Sequence, residues 1–176
     1  MKKLFTEIPF IQRDNLTIKK ITKDDTDALK ELVSSEVVYE HEPTFLFEKK
    51  YDDVSYVIDH LYDEAIEESL IMGIYTEDAF CGIMELYGYR EPIHKISVGY
   101  RLLPSCWGKG IATRALFLMV DYLYSQTDIE IIQASTLPEN AASANVLRKC
   151  GFTLVVSGSD EDWGYDHPLP TDKWIR

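Results

Sequence analysis

Apolar residues recur along this chain in two rhythms, one of period two and one near 3.6, and the rhythms change places from segment to segment. Leu16, Ile18 and Ile21 predict a first strand. Thr22, Lys23, Asp24 and Asp25 then open a helix that runs to about Ser35, with Thr22 or Asp24 as its cap. Residues 37–47 hold no period, and Pro43 excludes a regular helix there. Val54, Val57, Ile58, Leu61 and Ala65 form the buried stripe of a second helix over about residues 52–68, with an acidic opposite side. Residues 70–76 and 79–87 read as strands joined by the turn Glu77-Asp78, a hairpin. After a loop over 88–94, Ile96, Val98, Tyr100 and Leu102 mark a strand over 96–103. Ala112, Ala115, Leu116, Met119 and Leu123 follow at helical spacing and predict a helix over 111–124. A strand over 129–135, a helix over 140–150 stopped by Gly151, and a strand over 152–156 complete the pattern. Residues before Leu16 read as a lead-in, and residues 157–176 as a tail carrying Trp163, Tyr165, His167 and Trp174.

The order strand, two helices, three strands, helix, strand, helix, strand predicts an α/β fold: a sheet of mixed direction with helices on both faces. The 176 residues suit one domain, residues 1–176, with its core over about 16–157 and a C-terminal tail over 158–176. A formal net charge of −12 argues against nucleic acid as a partner and suits a cationic, amine-bearing one. Cys81, Cys106 and Cys150 show neither an even count nor C-x-x-C spacing, so neither a disulfide framework nor a metal site is indicated. The apolar run after Met1-Lys2-Lys3 is too short for a signal peptide. Arg114 and Asp121 interrupt the longest apolar helix, so no membrane span is expected. These features predict a soluble, cytoplasmic protein.

The chemistry concentrates between the strand over 96–103 and the helix that follows. Pro104, Ser105, Cys106, Trp107, Gly108, Lys109 and Gly110 form a tight turn, in which glycine lets the backbone approach a bound group and aim its N–H groups at it. The helix start adds unpaired N–H groups and partial positive charge, which makes an anion site for a phosphate. Lys109 and Arg114 add cations beside it. A P-loop requires G-x-x-x-x-G-K-S/T, which is absent. A dinucleotide fingerprint requires a third glycine or alanine where Thr113 stands.

The remaining reading is a coenzyme A loop. The segment resembles the GNAT acetyltransferase superfamily, whose loop reads Q/R-x-x-G-x-G/A. Gly110-Ile111-Ala112 matches its end, with Trp107 where Gln or Arg is more usual. Gly99-Tyr100-Arg101-Leu102, followed by Trp107 to Gly110 and Ala112-Thr113, is most similar to the branch containing the RimJ and RimL type N-terminal acetyltransferases of ribosomal proteins. A second match, Asn140-Ala141-Ala142-Ser143 through Lys149-Cys150-Gly151-Phe152, fits the family's N-x-x-S and its helix ending at G-F. The resemblance covers about residues 16–152.

The resemblance implies a mixed, mostly antiparallel sheet and transfer of the acetyl group of acetyl-CoA to a primary amine. The acceptor is a protein N-terminus or a small polyamine-like molecule. It implies that the strands over 96–103 and 129–135 splay to admit the pantetheine arm. Backbone groups of Arg101, Leu102 and Leu103 then meet the arm, and Trp107, Gly108, Lys109, Gly110, Ile111, Ala112 and Thr113 hold the pyrophosphate. Asn140 and Asn145 match positions that hydrogen-bond the cofactor, and Asn140 also suits a helix cap. The family's usual tyrosine acid falls at Leu147, so Ser143, one turn earlier, is the substitute proton donor or else a small packing residue. Glu85, a lone carboxylate in an apolar strand, is the candidate base or else a solvent-facing residue. Glu40, His41 and Glu42 are the alternative base, or else bind the incoming ammonium. Cys106 needs no role in direct transfer. Tyr87, Gly88, Tyr89 and the tail aromatics line the acceptor site, or belong to the core or to a homodimer contact. The competing class is an acyl-CoA-binding module without turnover.

Overall fold

The computed structural model describes residues 4, 5, 7–40, 53–62, 69–163 and 166–176. Its frame is an eight-stranded sheet in the order β1-β2-β3-β4-β5-β6-β8-β7. The strands are β1 (Ile11–Arg13), β2 (Leu16–Lys19), β3 (Ser69–Thr76), β4 (Ala79–Arg90), β5 (Lys95–Leu102), β6 (Ile131–Thr136), β7 (Thr153–Glu161) and β8 (Leu169–Ile175). Every neighbouring pair is antiparallel except β5 and β6. The helices are α1 (Thr26–Val33), α2 (Glu36–Tyr39), α3 (Val54–His60), α4 (Ile111–Gln126) and α5 (Ala141–Lys149).

Period-two burial divides the sheet into two working faces. Leu70, Met72, Met84, Leu86, Ile96 and Val98 pack with Ala115, Leu116, Met119 and Leu123 of α4 and Leu147 of α5. Ile71 and Ile83, one residue out of step, pack on the other side with Leu29, Leu32, Val38 and Ile58 of α1 to α3. The predicted α/β sheet with helices on both faces is therefore present. Gly82 takes a φ of 157°, and an added Cβ there would stand 2.0 Å from the Arg101 carbonyl oxygen of β5. Any side chain there would prise the strands apart.

Several boundaries differ from the sequence reading. The helix expected from Thr22 starts as a 3-10 turn at Lys23–Asp25, with the Thr22 N–H held by the Asp25 carboxylate at 2.8 Å, and breaks at Ser34 before α2. The second helix is seen as Val54–His60, and residues 63–68 lie outside the described set. The lead-in contributes β1. The largest correction concerns residues 157–176. β7 continues to Glu161, and β8 inserts between β6 and β7 rather than trailing as a tail. Trp174 on β8 is buried, and its indole N–H donates to Thr136 Oγ1 at 3.0 Å. Among the described residues no helix is long and apolar enough to cross a membrane.

Candidate functional site

β5 and β6 run parallel through only three registered pairs, Lys95–Ile131, Ile96–Ile132 and Ser97–Gln133. Beyond Ser97, β5 stays paired to β4, while β6 from Gln133 onward follows β8. The sheet opens there into the predicted splay. The opening leads into a cleft of about 490 Å³ walled by β5, the glycine turn, the start of α4 and one side of α5.

The turn has the geometry an anion needs. Gly108 and Gly110 take φ of 71° and 73°, in the left-handed region where other residues are strained. A Cβ built on either meets nothing within 4 Å, so both face open space. Gly110 caps α4 without a side-chain partner, which leaves first-turn amides of Ile111, Ala112 and Thr113 for a guest. Ile111 is buried, and Ala112 and Thr113 line the cleft. Trp107 is 44 % exposed, and its indole N–H donates to the Leu102 carbonyl at 2.8 Å, tying the turn back to β5. Lys109 is exposed beside the turn. Arg114, expected as a second cation, instead donates to Asn15 Oδ1 in the β1–β2 turn. Lys149, at the end of α5, also lines the cleft, a cation that sequence reasoning missed.

Strand parity corrects the expected backbone contacts. The Leu103 N–H donates to the Cys81 carbonyl at 2.9 Å, so it is committed to β4. In an antiparallel pair the backbone groups of alternate residues point the same way, so those of Arg101 also face β4. Of the three predicted residues only Leu102 turns its backbone edge toward the cleft, and Tyr100 shares that parity. The buried Arg101 side chain lies on the opposite face, its guanidinium 5.4 Å from the Tyr39 ring.

The α5 wall carries the polar groups. Asn140 is buried and caps the helix, its Oδ1 accepting the Ser143 N–H at 3.0 Å. Its amide NH₂ and a second lone pair on Oδ1 are left for further contacts. Asn145 lines the cleft while its Oδ1 accepts from Arg148 at 3.1 Å. Ser143 is half-buried, and its Oγ lies 2.9 Å from the Tyr100 phenol oxygen. Leu147, one turn on, is fully buried in the core.

Glu85 stands on the other face of the sheet. It pairs with Gly99, the residue before Tyr100, and its carboxylate lies 3.7 Å from where a Gly99 side chain would begin. Residues 99 and 100 project oppositely, so Glu85 and the Ser143–Tyr100 pair flank the same short length of β5 from opposite faces. Glu40 is exposed at the end of α2, outside the cleft's lining. His41 and Glu42 lie outside the described residues. Burial, and then the neighbouring Cys81, push the Cys106 thiol up, which keeps it protonated and unreactive.

Comparison with known proteins agrees with this geometry. A family model described as an acetyltransferase (GNAT) domain matches residues 15–153. "Probable N-acetyltransferase YjcK" of Bacillus subtilis (strain 168) is 35% identical over 96 residues, 52% of this chain and 53% of that protein. The match thus spans about half of that relative's length. "Uncharacterized N-acetyltransferase YoaA" of the same organism is 24% identical over 168 residues, covering 93% of each. Among solved structures, RimL, a ribosomal L7/L12 alpha-N-protein acetyltransferase in complex with coenzyme A, superposes with a TM-score of 0.79. It is 16% identical, with 96% of this chain and 97% of that chain covered, and the likeness shows a shared fold.

Proposed function

The chain belongs to the acetyltransferase (GNAT) family, and from that premise we propose that it moves the acetyl group of acetyl-CoA onto a primary amine, the α-amine of a polypeptide. The observation that carries this reading is the cleft where β5 leaves β6, with the two left-handed glycines and the uncapped α4 start at its mouth. The residues fit the cofactor: the turn offers backbone N–H donors and open space for a diphosphate. Trp107 to Thr113 hold it, and Lys109 and Lys149 add charge. The backbone edges of Leu102 and Tyr100 pair with the extended arm as a strand would. Asn140 and Asn145 border that arm from α5.

Bound acetyl-CoA supplies an activated acyl group; the protein supplies position and proton management. Holding the two reactants in line lowers the barrier by about 7 to 11 kcal/mol when the geometry is good. Glu85, half-buried over Gly99, takes a proton from the incoming amine. Ser143, on the opposite face, lines the cleft that would hold the thioester and would give the proton to the departing thiolate. A base and an acid each contribute about 10²- to 10⁴-fold. The polypeptide acceptor is favoured by the likeness of the Gly99 to Thr113 segment to the RimJ and RimL branch, and RimL itself acts on a protein N-terminus.

Thiol release from acetyl-CoA tests the reading. The panel comprises peptides with free N-termini, the same peptides N-terminally blocked but containing lysine, and spermidine. Free N-termini should support turnover and blocked peptides should not. Turnover with spermidine alone moves the acceptor to the small-molecule class. Coenzyme binding by calorimetry with no acceptor-dependent release would leave a binding module. Within the enzyme reading, Glu85→Gln should lower kcat and change its pH profile; an unchanged profile removes Glu85 from the reaction.

A further inference from the structure

Ser143 lines the cleft, but an aliphatic hydroxyl is poorly matched to protonate a departing sulfur. A thiol ionises near pH 8.5 and a phenol near about 10. An aliphatic hydroxyl holds its proton roughly as tightly as water does, far more tightly than a thiol or a phenol. Ser143 acting alone would finish as an alkoxide, a strongly uphill transfer. The Tyr100 phenol oxygen lies 2.9 Å from Ser143 Oγ and 3.4 Å from the Ser143 carbonyl oxygen. The Ser143 N–H is already committed to Asn140. Both side chains line the cleft.

We infer that Tyr100 is the proton source for the departing thiolate and that Ser143 is the conduit, an inference that rests on the cleft holding acetyl-CoA. As the C–S bond breaks, the sulfur takes the Ser143 hydroxyl proton. Ser143 in turn takes the phenol proton, and the Tyr100 phenolate recovers one from solvent. The amine gives up one proton as the amide forms and the thiol gains one, so the products are one amide and one thiol, with no further reactant. Tyr100 acts through Ser143 and is therefore a positioning residue rather than one that touches the reacting atoms. The acid normally carried by the helix at position 147, here an apolar core residue, has moved across the cleft to the facing strand.

The test compares wild type, Tyr100→Phe, Ser143→Ala and the double variant, each checked for cooperative melting. Calorimetry with coenzyme A and with desulfo-coenzyme A accompanies steady-state kinetics. We expect Y100F to lose about a hundredfold in kcat, with KM for acetyl-CoA within threefold of wild type. S143A and the double variant should lose about the same, because residues acting as one unit do not add. Wild type should bind coenzyme A more tightly than the desulfo form, and both single variants should erase that preference. A kcat for Y100F within twofold of wild type overturns the inference. So does a loss confined to KM, or losses in Y100F and S143A that multiply in the double variant. If wild type binds coenzyme A yet Y100F is fully active, only the proton path fails. If wild type binds no coenzyme A, the cofactor reading fails and takes this inference with it.

Discussion

Gly110 faces the open cleft with a φ of 73°, and there is nothing within 4 Å of the place where a side chain would begin. Alanine at this position carries a conformational cost of roughly 1 to 2 kcal/mol and also puts a methyl group into the space proposed for the diphosphate. Gly158 provides the matching control: its φ is 64°, it too meets nothing within 4 Å, and it lies on β7 outside the cleft's lining. G110A and G158A should therefore melt at similarly lowered temperatures, while calorimetry finds coenzyme A binding weakened more than tenfold in G110A alone. Equal affinities in the two variants would mean that the glycines serve only the turn. These glycines were legible in the sequence because a tight strand-to-helix turn has few other ways to be built. Tyr100 was not, because in an alternating strand a tyrosine reads as core. Nor was the engagement of Leu103 with Cys81, because apolar alternation gives the face of each side chain but not the direction of its backbone groups. Arg114 left its expected place because its partner, Asn15, is 99 positions away in the chain.

Among the elements, the pair β7–β8 was the part the sequence concealed. β8 carries Pro170 and Asp172 among its seven residues, and only Thr171 and Trp174 are buried, so its alternation is too sparse to announce a strand. Its position between β6 and β7 follows from pairing distant in sequence, which local pattern does not encode. Side chains that face each other across the pair help hold it. Lys173 lies 2.5 Å from Glu161, and the Trp163 indole donates to the same carboxylate at 2.6 Å. Burial pushes the Glu161 carboxyl up, but hydrogen bonds from Lys173, Trp163 and Ser135 and the Lys173 charge outweigh it and hold the group below its ordinary value. A carboxyl depressed in the folded state stabilises the protein above its unfolded value, about 4.3, and loses that contribution as pH falls through the folded one. Glu161→Gln should therefore lower stability by about 1 kcal/mol near pH 7, with the gap to wild type closing below about pH 4.3. Urea titrations at both pH values would show it; a gap that does not change with pH would assign the loss to packing.

At the scale of the whole molecule, charge sets how the two reactants arrive. The net charge of −12 opposes a polyanionic cofactor at long range, and the exposed Lys109 and Lys149 at the cleft act only close in. A cationic amine meets the opposite field, attracted from a distance before any contact forms. Salt shortens the reach of that field, to about 10 Å at 0.1 M and about 3 Å at 1 M. Raising ionic strength should thus lower kcat/KM for an acceptor peptide rich in lysine and arginine by several-fold, while an acidic peptide with the same first residue should gain or hold steady. The sign of the difference is the informative part, because a salt effect on folding or on cofactor binding would move both peptides together. If the two slopes coincide, the acidity of this chain serves solubility alone, and acceptor choice is made entirely by contacts inside the cleft.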